Sequence, residues 1–152
     1  MRVTVSGRAP CDLAPVRAAI RAALRPFSLP PDARVALAFV DDDAMRALNA
    51  RHRGTERTTD VLSFGQALRP GAKGAAAVPH LRRDVDGGLQ VGDIVISAAQ
   101  AARQARRRRR PLAEEVALLA AHGALHLVGY EDETPAGYRE MVRLGQAATR
   151  RS

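Results

Sequence analysis

The segment from His122 to Asp132 restricts the fold of this chain more than any other. Its two histidines are four residues apart, so in an α-helix they lie on the same side, about 40° apart around the axis. Gly129 follows where a left-handed residue can end the helix, and the returning chain can bring Asp132 to the same point. Three protein ligands leave a fourth position for water, as in catalytic zinc sites. The spacing predicts a metal site of His122, His126 and Asp132 at the end of a central helix. A buried helix that merely carries two histidines is the alternative.

Apolar runs and helix signals predict an α+β fold for the whole chain. Four runs have strand character: Arg2–Ser6, Val35–Val40, Val61–Phe64 and Val91–Ile96. Helices are predicted from Asp12 to about Arg25, from Asp41 to about His52, from a Ser97 cap to the arginines at 106–110, from Pro111 through the histidines, and from Thr134 onward. The length of 152 residues suits one domain, residues 1–152. We therefore expect a single four-stranded mixed sheet with helices packed on it.

Residues 65–90 interrupt this order because they lack periodicity and are rich in Gly, Pro and Ala. A loop of this length is usually functional or disordered. We expect an exposed, partly mobile flap with a short strand at most. His80 within it is interpreted as an ordinary surface histidine. The lone Cys11 has no cysteine partner and is interpreted as a small, buried or partly exposed thiol.

Three consecutive aspartates, Asp41–Asp43, follow the second predicted strand. Adjacent residues on a helix point away from one another, which disfavours a shared metal ion. Acidic side chains at a helix start complement the helix dipole. Capping is therefore the favoured interpretation.

The net charge of +8 predicts a polyanionic partner, with nucleic acid first among the candidates. Almost all basic residues are arginines, which can also reflect genome composition. The run Arg106–Arg110 is interpreted as a solvated, sequence-independent RNA contact outside the metal site, with a merely soluble helix end as the alternative. Aromatic residues are scarce and Trp is absent, so contacts to the nucleic-acid backbone should dominate over base stacking.

The sequence gives no sign of a membrane segment. Its apolar runs are interrupted well before the ~18 residues that a membrane span requires, and the N-terminus lacks the order of a secretory signal. We expect a cytoplasmic protein without a membrane partner.

The spacing H-x-x-x-H-x-x-G-x-x-D is similar to the zinc signature of the metzincin proteases. Those enzymes place a Glu directly after the first His as general base, whereas this chain has Gly123 there. Peptide hydrolysis would need another base. A metalloprotease is therefore the less favoured reading.

Three motifs in order resemble the YbeY family of bacterial metallo-endoribonucleases. The family pattern HGxLHLxGYDH is met by residues 122–130, the pattern N-x-x-Y-R…T-D-V-L-S-F by Asn49, Arg53 and residues 59–64, and the strand pattern G-D-I-V-I-S by residues 92–97. The resemblance implies single-strand-specific RNA cleavage in ribosomal RNA maturation, including the 16S rRNA 3′ end, and in ribosome quality control. It also implies one zinc ion per chain, contact with the small ribosomal subunit or its assembly factors, and no DNA partner.

The chain departs from the family pattern around its third ligand. Asp132 stands where the family has a third His, and Glu131 precedes it where the family has Asp. His52 stands where the family often has Tyr. Two His and one carboxylate form a competent zinc set, but the same set also occurs in non-haem iron oxygenases, so the ligands alone do not identify the metal. Glu131 or Glu133 is the alternative third ligand.

The resemblance gives Arg53 a catalytic role, in which it stabilises charge on the phosphate. From the residue alone, a surface arginine or a helix C-cap is favoured. Two functions remain open. One is a zinc-dependent endoribonuclease of ribosome maturation, and the other is a ribosome-associated RNA-binding assembly factor whose metal is structural.

Overall fold

The computed structural model describes residues 1–53, 60–65, 68 and 71–150, without the side chains of residues 52 and 53. Within these ranges there are five strands: β1 (Arg2–Ser6), β2 (Arg34–Val40), β3 (Val61–Phe64), β4 (Arg82–Arg83) and β5 (Leu89–Ser97). The same ranges contain five α-helices: α1 (Ala14–Leu24), α2 (Asp42–Arg53), α3 (Ala98–Arg107), α4 (Leu112–Leu127) and α5 (Pro135–Thr149). All predicted strands and helices are present. None of these helices is both long and apolar enough to cross a membrane.

The strands form one mixed sheet in the order β1-β2-β5-β3, and β4 also pairs with β5. β1 and β2 are parallel, and β2 runs parallel to β5, whereas β3 and β4 are antiparallel to β5. The predicted mixed sheet is confirmed. Its fifth strand, β4, is the short strand that the 65–90 segment was expected to contain at most.

Helices cover both faces of the sheet, as continuous apolar strands require. On one face, α1 and α4 bury the side chains that alternate along β2, namely Val35, Leu37 and Phe39. On the other face, Met45 of α2 packs with Leu62 of β3 and Val95 of β5. The sheet therefore carries a large core on one side and a small one on the other.

Helix α4 is the central helix of the larger core. It packs against α1, α3 and α5 and against strands β3 and β5. Its buried residues include the alanines Ala117, Ala120, Ala121 and Ala124, whose small side chains let neighbouring elements approach closely. The predicted position of the histidines on a central helix is confirmed.

Polar side chains cap the helices at most of the predicted places. Three of them accept a backbone N–H: Asp41 Oδ1 from Ala44 (2.8 Å), Ser97 Oγ from Gln100 (3.1 Å) and Thr134 Oγ1 from Gly137 (3.0 Å). The capping interpretation is therefore confirmed for Asp41. Two helices begin one residue later than predicted. The N-cap of α1 is Leu13, and the predicted cap Asp12 accepts the Ala14 N–H from the position before it. Pro111, predicted as the first residue of α4, is its N-cap.

The described part of the 65–90 segment lies against the body of the protein. The Gly74 N–H donates to the Val128 carbonyl oxygen at 2.8 Å, and two 3₁₀ turns follow, Gly74–Ala76 and Val78–His80. Ala77 is fully buried and Leu81 nearly so. Most residues from 71 to 87 are exposed, as expected, although this part of the segment is anchored to the core at Ala77 and Leu81, and its mobility stays a prediction. His80 is exposed and Cys11 is partly exposed, as expected.

Candidate metal centre

The end of α4 reverses the chain at Gly129. This residue has φ +94°, a left-handed conformation that favours glycine. The Tyr130 N–H donates to the Leu125 carbonyl at 3.2 Å, and the Gly129 N–H donates to that of His126 at 3.0 Å. These bonds satisfy carbonyls that the helix end leaves free. The reversal carries Asp132 back toward the two histidines.

We expect Gly129→Ala to lower the free energy of unfolding by about 3 kcal/mol. A Cβ at this position would clash with the Ala72 carbonyl oxygen. The left-handed conformation itself costs roughly 1–2 kcal/mol for a residue with a Cβ. Thermal or denaturant unfolding measures the loss. The matched control is Gly87→Ala, because Gly87 also has positive φ but open space around its Cβ position. Equal losses in the two variants would contradict the close contact with Ala72.

Three side chains converge at this reversal, His122, His126 and Asp132, which we call the triad. Asp132 Oδ2 lies 3.2 Å from His122 Nε2 and 3.5 Å from His126 Nε2. The two Nε2 atoms are 3.1 Å apart. One ligand atom from each residue falls within 4.8 Å of the others, and this is the single group of its kind among the described residues. The arrangement can hold one metal ion.

The tautomer of His126 suits a ligand. Its Nδ1 lies 2.9 Å from the Tyr130 carbonyl oxygen, which can only accept a hydrogen bond. Nδ1 is therefore the protonated nitrogen in the neutral ring, and Nε2 offers a lone pair toward the other triad atoms. A carbonyl that fixes the ring in this way is typical of metal-binding histidines.

The surroundings of His122 and Asp132 favour a neutral imidazole and an ionised carboxylate. Burial lowers the pKa of His122 below its ordinary value, helped by the proximity of His126 and opposed by Asp132. Burial would raise the pKa of Asp132, but His126 and His122 together hold it below its usual range. These are the protonation states that metal ligands require.

The other candidate site residues have different surroundings. Glu131 Oε2 accepts the backbone N–H groups of Glu133 (2.6 Å) and Thr134 (3.2 Å), and its Oε1 accepts the Thr134 hydroxyl (3.1 Å). It therefore holds the turn into α5 and is not part of the triad. Glu133 is exposed and also lies outside the triad. Arg53 is the last residue of α2, and its side chain lies outside the described residues.

The face of α4 at Gly123 lies directly on the sheet. A Cβ there would come within 2.8 Å of Ile94 Cγ2 and 3.0 Å of Ser63 Oγ. The Ser63 hydroxyl donates to the Gly123 carbonyl at 3.0 Å. Because even one methyl group is crowded, a glutamate base at this position does not fit. The crowding explains why Gly123 stands where metzincin proteases have their glutamate, and it counts against a metalloprotease.

The triad opens into a groove of about 400 Å³. Its lining also includes Arg108, Arg110 and Glu115, from the end of the arginine run and the first turn of α4. Two of the five arginines of the run therefore line the groove that contains the triad, but neither belongs to the triad, and the interpretation of the run as an RNA contact outside the metal site stays a prediction. The helix spacing indicates this shared groove, because Glu115, His122 and His126 at i, i+7 and i+11 lie on one side of a helix.

Comparison with known proteins relates most of the chain to a single family. The family described as Endoribonuclease YbeY matches residues 13–151. A protein of that name from Desulforamulus reducens is 43% identical over 119 residues, which are 78% of this chain and 72% of the relative. One from Moorella thermoacetica is 43% identical over 110 residues, 72% of this chain and 67% of the relative.

Two further matches are a longer relative and a protein of known structure. A protein called Endoribonuclease YbeY from Anaeromyxobacter is 41% identical over 112 residues, 74% of this chain but 50% of the relative. The chain thus spans about half the length of that protein. A Thermotoga maritima protein solved in solution is 21% identical, with a TM-score of 0.57 over 97% of this chain and 89% of that chain. This structural likeness concerns the fold alone.

Proposed function

Because this chain belongs to the endoribonuclease YbeY family, we propose that it is a zinc-dependent endoribonuclease that cleaves single-stranded RNA during ribosomal RNA maturation. The observation that carries the proposal is the convergence of three ligand atoms within 4.8 Å at one end of an open groove. Two imidazoles and a carboxylate are a ligand set that zinc accepts in catalytic sites. A groove beside them gives a substrate access to the ion.

The triad would hold the zinc, and each member has a separate task. His126 presents Nε2 because the Tyr130 carbonyl holds its Nδ1–H. Burial lowers the pKa of His122, which favours the neutral imidazole that a metal ligand needs. Asp132 supplies the one negative charge of the set, so the bound ion would keep a net positive charge. A zinc ion held by these residues would supply Lewis acidity toward water or a phosphodiester oxygen.

Several parts of the proposal come from the family rather than from the geometry. We propose that Arg53, at the end of α2, stabilises the charge that develops on the phosphate. The same basis supports ribosomal RNA as substrate, including the 16S rRNA 3′ end, association with the small ribosomal subunit or its assembly factors, and a role in ribosome quality control. The cytoplasmic location is proposed from the sequence.

An RNA-binding assembly factor with a structural metal is the competing function. Structural zinc sites are usually closed by four protein ligands, whereas catalytic sites keep an open position. The triad offers three ligands, and the carboxyl side chain of Asp132 is 38% exposed at the groove. The open site favours the enzyme.

The decisive experiment is a cleavage assay on an unstructured ribosomal RNA precursor. Zinc-loaded protein should cut it, chelation should stop the cutting, and added zinc should restore it. The His126→Ala protein, purified in parallel, controls for contaminating ribonucleases. Cleavage that persists after chelation or in the His126→Ala protein would count against the proposal. Zinc-bound protein that binds the RNA without cutting it would instead support the assembly factor.

Zinc should also raise the thermal stability, because an ion bound only by the native state shifts the unfolding equilibrium. At free zinc 100-fold above its dissociation constant, the gain is about 2.7 kcal/mol. For a chain of this size this corresponds to a Tm increase of roughly 5–10 °C. Scanning calorimetry with and without a chelator measures it. A Tm that rises equally in the His126→Ala protein would place the zinc elsewhere.

A further inference from the structure

The turn between α3 and α4 holds two arginines in fixed positions. Arg109 takes the left-handed conformation, with φ 52°, and the Arg110 N–H donates to the Ala105 carbonyl at 2.9 Å. These features end α3 sharply. The flanking residues, Arg108 and Arg110, then both contact the first turn of α4, which follows them in the chain.

Glu115 is the point on which these arginines meet. Its side chain is 0% exposed, and each carboxylate oxygen receives one guanidinium. Arg108 Nη1 lies 2.9 Å from Oε1, and Arg110 Nη1 lies 3.2 Å from Oε2. A buried carboxylate needs a positive partner. The pairing therefore fixes two long side chains that would otherwise be mobile.

The two arginines exceed what Glu115 requires. One guanidinium neutralises one carboxylate, so the second leaves a positive charge at the groove. Arg110 Nε also forms an ion pair with Glu114 at 3.8 Å, but that carboxylate is 55% exposed and does not line the groove, so the pair is a weak one. Each guanidinium has five N–H donors, and the contacts to Glu115 use one nitrogen of each. The side chains of Arg108 and Arg110 are 54% and 28% exposed, so their remaining donors are open to a ligand.

We propose that Arg108 and Arg110 form a phosphate-binding subsite, which takes a phosphodiester of the RNA strand flanking the one at the triad. This inference rests on the proposed function. The inference adds to that function by assigning a substrate contact to two arginines of the run. Paired guanidinium groups match phosphate oxygens in geometry as well as charge. Both arginines line the same groove as the triad, so one strand can contact the two places together.

The test compares two single substitutions that remove the same charge. Arg108→Gln removes a groove arginine and leaves Arg110 to pair with Glu115, so the fold should hold. Arg107→Gln removes an exposed arginine from the same run that does not line the groove. Zinc content and Tm of both proteins are measured first. Zinc content should match that of the parent in both proteins. The Tm should match in Arg107→Gln and fall by only a few degrees in Arg108→Gln, because Glu115 Oε1 loses one hydrogen bond while Arg110 still pairs with the carboxylate.

Binding of a short single-stranded RNA to the zinc-loaded proteins is then followed by stopped-flow anisotropy, read before cleavage, over a range of salt concentrations. Arg108→Gln should weaken binding about tenfold at low salt and reduce the salt slope by about 0.7, the value for one lost phosphate contact on a single strand. The KM for cleavage should rise while kcat changes little. Arg107→Gln should leave all of these values close to those of the parent.

Two results would overturn the subsite. Equal weakening by both substitutions would mean that the run acts only as a diffuse positive field, and no weakening by either would mean that the run does not touch RNA. The proposed function fails in a different way. RNA binding that depends on Arg108, in a protein that never cuts RNA with zinc, would refute the enzyme and leave the subsite intact.

Discussion

The Asp132→Ala protein is expected to lose zinc affinity by at least the ~10–100-fold that accompanies disruption of groups around a metal site, and to lose RNA cleavage with it. Asp132 Oδ2 approaches both histidine nitrogens, so its removal leaves two ligands. The fold should persist because α4 is held by packing rather than by the metal. Elemental analysis and zinc titration measure the loss, and circular dichroism checks the fold.

Two further variants sharpen this test. Asp132→His should keep zinc, since it forms a site with three imidazoles. Glu131→Ala is the matched control, because it removes a neighbouring carboxylate that holds the turn into α5 instead of facing the histidines. Full zinc binding by Asp132→Ala together with loss of zinc in Glu131→Ala would make Glu131, and not Asp132, the third ligand.

The second large effect is expected when both groove arginines are lost. In the double variant Arg108→Gln/Arg110→Gln, Glu115 becomes a buried carboxylate without a positive partner. Breaking a buried ion pair in this way costs about 3–5 kcal/mol, which lowers the Tm of a chain of this size by roughly 10 °C. Denaturant and thermal unfolding measure the change. Arg106→Gln/Arg107→Gln, which removes the same charge elsewhere in the run, should have little effect.

A compensating substitution separates this explanation from a general effect of charge. Adding Glu115→Gln to the arginine double variant removes the uncompensated charge and should recover most of the lost stability. A triple variant as unstable as the double would show that the guanidinium groups stabilise the turn by packing, because arginine stems also bury apolar surface.

The sequence predicted the elements of this fold well because their signals are local. A run such as Val35–Val40 shows its burial through continuous apolar residues, and helix starts show in capping residues such as Ser97. The triad was also accessible for this reason. Its members lie within eleven residues, and one helix with one left-handed turn is enough to bring them together.

The contacts that the sequence missed join distant parts of the chain. Glu115 stands in the first turn of α4, where an acidic side chain suits the helix dipole, and only the packing of α4 shows that it is buried. Likewise, nothing local in residues 71–81 indicates that Gly74 bonds to Val128 at the end of another element. Shape and burial at such contacts depend on the assembled core rather than on periodicity.

The central place of α4 has a consequence for how the protein opens. Amide hydrogens exchange with solvent last in the elements that only global unfolding exposes, and α4 is packed on several sides by helices and strands. Its amides near Ala120 should therefore be among the slowest to exchange. Asp132 lies beyond the helix, in the turn that leads to α5. In partly opened states the two imidazoles would stay in place while the carboxylate departs, so metal release should begin at Asp132.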